Sequence, residues 1–457
     1  MPNASYWTER FHDLARQSGV RGAVLGIWAD GQETVAAYGV LNSGTGVETT
    51  PGSLFQVGSI TKVWTATMIM QLIDEGSLSL DTTVAQVLPG ARICTSDVSG
   101  EVTIEHLLTH TSGIEGDVFI DTGRGDDCLE RFVARLAGVK SVYPPGEAFS
   151  YANTGFQLLG RIIEVIDGQT WDNALRTRLT TPLGLTRTVT LPEDAIVHRV
   201  AAGHDDDGNL ITFWTGPRCD GPAGAVTCDA HDLLTFARFH LDGGTGPDGT
   251  RVLTEASATA MRQQRVALPP PPAGQGNGLA WRLADWNGHQ IIGHSGDTIG
   301  QSAWLQTVPD LGLAVCLLTN TGSSGTLYRN LLGEVFRELA GIEMPGVPGP
   351  SDAPGGPDPA RHAGRYRAAS NRADVTVRDG LLRMTRTFDV DIPGLDIPEP
   401  DEMTLLPADS TGDHFVLKLP GTAYWTPVSF GRLRDQTPYV YLFGRVLPQA
   451  SVPKSST

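Results

Sequence analysis

The chain has 457 residues, of which 40% are hydrophobic and 19% charged, a balance that fits a soluble globular protein. With 34 Lys and Arg against 51 Asp and Glu, the formal net charge of −17 argues against nucleic acid and anionic membrane surfaces as partners, because both would repel it. The length is enough for two or three domains.

The N-terminal stretch YWTERFHDLARQSG spaces Tyr6, Trp7, Phe11 and Leu14 for one helical face and reaches a stop at Gly19. It carries no apolar core of the signal-peptide kind, and no run in the chain has the length of a membrane span. These features predict a soluble, cytoplasmic protein with no membrane partner. Five scattered cysteines with no CxxC predict free thiols.

GAVLGIWADGQETVAAYGV reads as two strands joined by a tight turn at Asp30-Gly31. TKVWTATMIMQLIDEG, residues 61–76, reads as a buried helix ending at Gly76. Short helical patterns and long loops fill roughly 77–270, with TIEHLLTHTSGI and TGFQLLGRIIEVIDG the clearest helices. From residue 278 the period changes to that of strands, in GLAWRL, HQIIGH, SAWLQTV and GLAVCLLTN, with turns at Asn287-Gly288 and Pro309–Gly312. A last helix is predicted over 326–340. Strands open and close this region, so distant strands are expected to join in one antiparallel sheet. Residues 344–359 are Pro/Gly-rich and read as a linker. Short strands with turns such as Arg378-Asp379-Gly380 follow, and they predict a small β-barrel over 360–457.

Within FQVGSITKVW, Ser59 and Lys62 stand three apart, a spacing that shares a helical face. Lys62 sits in an otherwise apolar run. Burial lowers a lysine's pKa, and a neutral amine can serve as the base that a serine nucleophile needs. Taken alone, a spacing this short and common favours an ordinary helix cap at Ser59 and a snorkelling Lys62. FSYANTGF adds Tyr151, a proton-shuttle candidate, and Asn153, which either orients a substrate carbonyl or caps a helix. IIGHSGDTIG adds His294 on a strand edge, with Gly296 permitting close backbone approach.

In this order and at these separations, Ser59-Ile60-Thr61-Lys62, Tyr151-Ala152-Asn153 and His294-Ser295-Gly296 resemble the SxxK, YxN and KTG (HxG form) motifs of the serine β-lactamase and penicillin-binding-protein superfamily. LLTHTSGI resembles a further segment of these enzymes, and the likeness covers about 10–340. It implies an α/β (α+β) catalytic domain over 1–343, with a central antiparallel sheet and a mostly helical subdomain near 77–270. The C-terminal barrel resembles the lipocalin-like domains of several relatives. The implied chemistry is acyl transfer with no metal and no cofactor. Ser59 is the nucleophile, and Lys62 and Tyr151 move its proton. The backbone N–H groups of Ser59 and Asp297 hold the oxyanion, and Asn153 and His294 position substrate.

The implied partners are a small-molecule or peptide acyl donor and a water, alcohol or amine acceptor. His294 replaces the KTG lysine that pairs with a lactam carboxylate. Together with the cytoplasmic expectation, this favours an esterase or natural-product transacylase. A peptide cyclase/thioesterase or D-aminopeptidase is the alternative, ahead of a true β-lactamase or a non-catalytic binding module. Arg445, in YLFGRV, either holds a substrate anion or makes a structural salt bridge. GHDDDGN and DTGRGDDC read as solvated loops.

Overall fold

A computed structural model describes residues 3–214, 216–269, 275–322, 324–352, 358–388, 401–419, 422 and 424–450. Helix α1 (Ala4–Ser18) starts where the Asn3 side chain accepts from the Tyr6 N–H and stops at Gly19, whose φ of 72° only glycine adopts without strain. Strands β1 (Gly22–Ala29) and β2 (Gln32–Asn42) form the expected hairpin, with φ of 51° at Asp30 and 74° at Gly31. Strand β3 (Val47–Glu48) extends its edge. A separate pair, β4 (Phe55–Gln56) and β5 (Thr227–Cys228), anchors the chain just before Ser59.

Strands β6 (Val266–Ala267), β7 (Gln275–Asn277), β8 (Arg282–Trp286), β9 (His289–Thr298), β10 (Gln301–Val308) and β11 (Leu313–Thr319) complete the sheet. Its nine strands run in the order β3-β2-β1-β11-β10-β9-β8-β7-β6. The first and last long segments of this unit therefore meet at β1 and β11, in register Leu25↔Leu317. Both faces are covered. Ala23, Leu25, Ile27, Val315 and Leu317 pack under α1 and the last helix of this unit, while Val24, Ala314, Cys316 and Leu318 join the core of the helical subdomain. That is why β11 is buried along its whole length rather than in alternation.

Helix α2 (Thr61–Asp74) is buried from Thr61 to Leu72, so it has no solvent face. Its Trp64 stacks on Phe236 of a helix over Ala230–Leu241 at 3.8 Å between ring centroids. Helix α3 (Asn153–Asp167) ends at Gly168 as expected, and α4 (Gly325–Ala340) ends at Gly341. Two details differ from the sequence expectation. The helix in TIEHLLTHTSGI is confined to Ile104–Leu108, because His110 and Gly113 take positive φ and turn the chain. GLAWRL becomes strand only from Arg282, since Ala280 also has positive φ.

Residues 341–352 form no regular element, and the middle of the expected linker, 353–357, lies outside the described residues. Beyond it, β12 (Gly364–Arg367), β13 (Asn371–Arg378), β14 (Leu381–Phe388), β15 (Glu402–Pro407), β16 (His414–Lys418), β17 (Trp425–Arg432), β18 (Pro438–Leu442) and β19 (Arg445–Pro448) make an eight-stranded antiparallel sheet. A bridge between Tyr366 and Gln449 brings its ends together into a nearly closed barrel. Alternate residues such as Val375, Met384, Leu417 and Val440 fill a core of its own. Among the described residues no helix is long and apolar enough to cross a membrane.

Candidate active site

Ser59 lies in the 3-10 turn Gly58–Ile60, which runs directly into α2. The 222–226 segment holds the start of that helix. Thr61 Oγ1 accepts from the Val226 N–H at 3.0 Å, and Thr65 Oγ1 donates to Pro222 O at 2.8 Å. Lys62 is fully buried, with Nζ 3.0 Å from Ser59 Oγ and 2.8 Å from Ala223 O. Burial chiefly, and then the Arg445 charge, pushes its pKa well below the usual lysine value, against the pull of Asp117. As a neutral amine it presents a lone pair to the Ser59 hydroxyl.

Two glycines let β9 lie against the nucleophile's turn. A Cβ on Gly58 would sit 2.7 Å from the Asp297 nitrogen, and one on Gly296 would sit 1.9 Å from Val57 O and 2.5 Å from the Ser59 nitrogen. The turn and the strand therefore pack with the backbone nitrogens of Asp297 and Ser59 close to the facing glycines. The Asp297 side chain turns elsewhere and accepts from Ser302 Oγ at 2.8 Å.

Tyr151 is almost fully buried, and its hydroxyl has no well-formed hydrogen bond to a described residue. Three basic side chains surround its ring: the Lys62 amine, with Nζ at 4.8 Å from the centroid, and the guanidiniums of Arg282 and Arg445, with Cζ at 5.2 Å each. Burial pushes the phenol up to about 12, while the nearby Ser59 hydroxyl and the two guanidiniums oppose the rise. The phenol is therefore neutral at rest and suited to passing a proton on rather than to starting as a phenolate.

Asn153 opens α3 but does not cap it. Its Nδ2 donates to Asp117 Oδ1 at 2.8 Å. His294 is 3% exposed, and burial holds its pKa near about 3, so the imidazole is neutral. With Nδ1–H donating to Ser295 O, the buried Nε2 is left as an acceptor without a partner among the described residues. A neutral His294 cannot do the work of a lysine ammonium, but it can accept a substrate N–H.

Arg445 makes the salt bridge that is one of its two expected roles. It forms a two-pronged ion pair with Asp117, Nη2 donating to Oδ1 at 2.9 Å and Nε to Oδ2. It starts β19, just after the turn at Phe443-Gly444, so the barrel delivers it to the site. The same turn supplies Gly444 O, which accepts from the Tyr151 N–H at 2.8 Å, and the Val446 N–H donates to Ser150 Oγ at 3.1 Å.

Sequence reasoning missed Asp117, His110 and Arg282. Asp117 joins Asn153 to Arg445, and no periodicity marks a buried carboxylate three residues after Ile114. His110 Nδ1 accepts from the Ala152 N–H at 3.0 Å and so fixes the Tyr151–Asn153 backbone. It lies inside LLTHTSGI, so its segment was visible but its contact was not. Among the described residues no cluster of three His, Cys, Asp or Glu is arranged to hold a metal.

The Beta-lactamase family profile matches residues 7–336. The chain belongs to this family. Penicillin-binding protein 4 of Amycolatopsis lactamdurans is 47% identical, over 79% of this chain and 97% of its own. An unguisins hydrolase of Aspergillus campestris is 27% identical, over 60% of this chain and 53% of its own. Among solved structures, SurE with D-Leu superposes with a TM-score of 0.78 at 28% identity, covering 98% of this chain and 99% of that one. That overlap includes the barrel as well as the β-lactamase-like unit.

Proposed function

We propose that this member of the beta-lactamase family is a serine acyl hydrolase or acyltransferase working through an acyl-Ser59 intermediate. The observation that carries the proposal is the 3.0 Å approach of Ser59 Oγ to the amine of the fully buried Lys62. In this scheme Lys62 takes the Ser59 proton as Oγ attacks the carbonyl carbon. The oxyanion forms between the N–H groups of Ser59 and Asp297. The proton passes by way of Tyr151 to the leaving group. Asn153 donates to the carbonyl next to the scissile bond, and His294 Nε2 accepts from a substrate N–H. Water, an alcohol or an amine then takes the acyl group, with Tyr151 and Lys62 removing its proton.

The test is a fluorophosphonate probe read by intact mass. One adduct on the wild type and none on Ser59→Ala is the expected result. Labelling of Ser59→Ala at the wild-type rate would refute the nucleophile. Lys62→Arg should not restore the rate, because a guanidinium does not deprotonate at working pH.

A second reading, transfer of a peptidyl group to an amine, is favoured by the match to SurE, solved with D-Leu, along both parts of the chain. A peptidyl ester given with a D-amino acid amide separates the two. Aminolysis product in excess of free acid supports transfer, and free acid alone supports an esterase or hydrolase.

A further inference from the structure

Thr65 and Thr67 are both fully buried in α2, yet their hydroxyls bond differently. Thr67 Oγ1 donates back to Val63 O at 2.7 Å, the bond a threonine inside a helix ordinarily makes. Thr65 instead reaches out of its helix. Its hydroxyl donates to Pro222 O at 2.8 Å and accepts from Trp171 Nε1–H at 3.2 Å. An indole N–H can only donate, so the Thr65 hydrogen is directed to the Pro222 carbonyl. Trp171 is itself held, its backbone N–H donating to Glu164 Oε1 at 3.2 Å.

Pro222 is wedged against α3, where a Cβ on Gly160 would come 2.1 Å from Pro222 Cγ. The next carbonyl along the chain is Ala223 O, which accepts from the Lys62 amine at 2.8 Å. Thr65 thus fixes the planar peptide unit immediately before the one that meets the base. The chemistry at Lys62 makes this matter. A neutral amine has two hydrogens and one lone pair. With one N–H bonded to Ala223 O, rotation of the amine is restricted, and its lone pair can face Ser59 Oγ at 3.0 Å. Without that bond, an N–H can turn to Ser59 Oγ instead, and the hydroxyl then has no base for its proton.

We infer that Thr65 is a positioning residue for the acylation of Ser59: by holding the Pro222–Ala223 peptide it keeps the Lys62 lone pair on the Ser59 hydroxyl. The inference rests on the acyl-transfer reading and adds to it a residue bonded to neither the nucleophile nor the base. In the step it supports, the Ser59 O–H proton moves to Lys62 Nζ as Oγ bonds to the acyl carbon. Trp171 acts one contact further out, by leaving the Thr65 hydrogen no acceptor role to play and only Pro222 O to meet.

The experiment follows the rate of fluorophosphonate labelling of the full chain by intact mass, from about pH 5 to pH 10. As Ser59 Oγ bonds to phosphorus, the P–F bond breaks, fluoride leaves and the serine proton goes to Lys62, so the rate reports the base without a known substrate. Thr65→Val keeps the shape and removes the hydroxyl, and it should label about 10–100-fold more slowly at the plateau. Its inflection should move to lower pH. A carbonyl acceptor favours the ammonium form, and the charges of Arg445, Asp117, Arg282 and Asp220 that act on Lys62 are left in place. Thr65→Ser keeps the hydroxyl and should label within a few-fold of the wild type. Thr67→Val makes the same change on the same helix without touching Pro222, and it should label at the wild-type rate even where it melts lower. Should Thr65→Val not fold, Thr65→Ala carries the same two readouts. Labelling of the Thr65 variant within a few-fold of the wild type overturns the inference. So does a slowing that leaves the inflection unmoved, or one that Thr67→Val shares, which would be a loss of helix stability. An unlabelled wild type refutes the acyl-transfer reading and the inference with it, whereas a labelled wild type with an unaffected Thr65→Val refutes the inference alone.

Discussion

Asp117→Ala is the substitution that most directly tests whether the barrel and the catalytic motifs form one unit. Its carboxylate is 5% exposed and ties Asn153 on one side to Arg445, 23% exposed, on the other. Removing one partner of a buried pair typically costs about 3–5 kcal/mol, and the partial exposure of Arg445 points to about 3 kcal/mol. A chain of this size melting as one unit has an unfolding entropy of about 1 kcal/mol/K, so the melting temperature should fall by about 3 °C. The catalytic effect should be larger than the thermal one. Asn153 loses the acceptor that fixes its amide, and misplacing a positioning group typically costs about 10–100-fold. Turnover of an anilide substrate should drop by that factor, while fluorophosphonate labelling of Ser59 stays within a few-fold. Arg445→Met should also destabilise, because it strands Asp117. The double variant should be less destabilised than the two singles added, since no uncompensated charge is left. Strict additivity in that cycle, with an unshifted melting point for Asp117→Ala, would show that the bridge couples nothing.

Two further predictions concern pH. Lys62→Met should abolish turnover and raise thermal stability near neutral pH. Burial puts the folded pKa of Lys62 below its unfolded value of 10.5, so the unfolded chain binds more protons between the two. The charge therefore opposes folding fully below the folded pKa, and that opposition fades as pH rises toward 10.5. Melting curves from pH 6 to 10.5 should show the variant's advantage shrinking, and a constant difference would refute the lowered pKa of the buried amine. Asp220, whose Oδ1 accepts from Gln157 Nε2 at 2.5 Å, is pushed by burial from 3.8 to about 7, with Lys62 opposing. Its neutral form favours folding fully below pH 3.8, and that contribution is lost as pH rises through about 7. Asp220→Asn should match the wild type at pH 4 and gain on it steadily up to pH 7. A gain already complete at pH 4 would contradict the assignment.

The elements that local chemistry specifies were legible in the sequence. Asp30-Gly31, Asn287-Gly288 and Asp379-Gly380 all take the paired positive φ that makes a tight hairpin, and Gly19, Gly168 and Gly341 all end helices. The apolar run around Lys62 correctly signalled a buried amine, because no nearby charge gave it a reason to stay in water. What the sequence hid is what depends on distant residues. Asp117 and Arg445 are 328 positions apart and meet only because the last hairpin of the barrel reaches the site. Gly58 has no visible reason to be glycine until Gly296 is seen packed against its neighbours. His294 could be placed on its strand, but its neutrality follows from burial, which one strand's pattern does not define.

The division of labour between the two parts remains to be tested by cutting them apart. We propose that 1–343 is a domain able to fold without 360–457, because each part has its own hydrophobic core. Losing the barrel removes Gly444 O from the Tyr151 N–H, the Ala369 N–H from Glu115 Oε2, and Arg445 from Asp117. It also uncovers those groups to water, which then satisfies them. Truncation should thus strand no buried charge, and in that respect should be gentler than Arg445→Met in the full chain. A chain ending at residue 343 should melt cooperatively and label at Ser59, since Ser59, Lys62 and both oxyanion N–H groups stay within it. It should lose anilide turnover, because the Tyr151–Asn153 segment is no longer tethered from the barrel side. Absence of any cooperative melt would show that 1–343 is not a domain. A cooperative melt without labelling would show that the barrel belongs to the nucleophile's machinery and does more than hold the segment beside it.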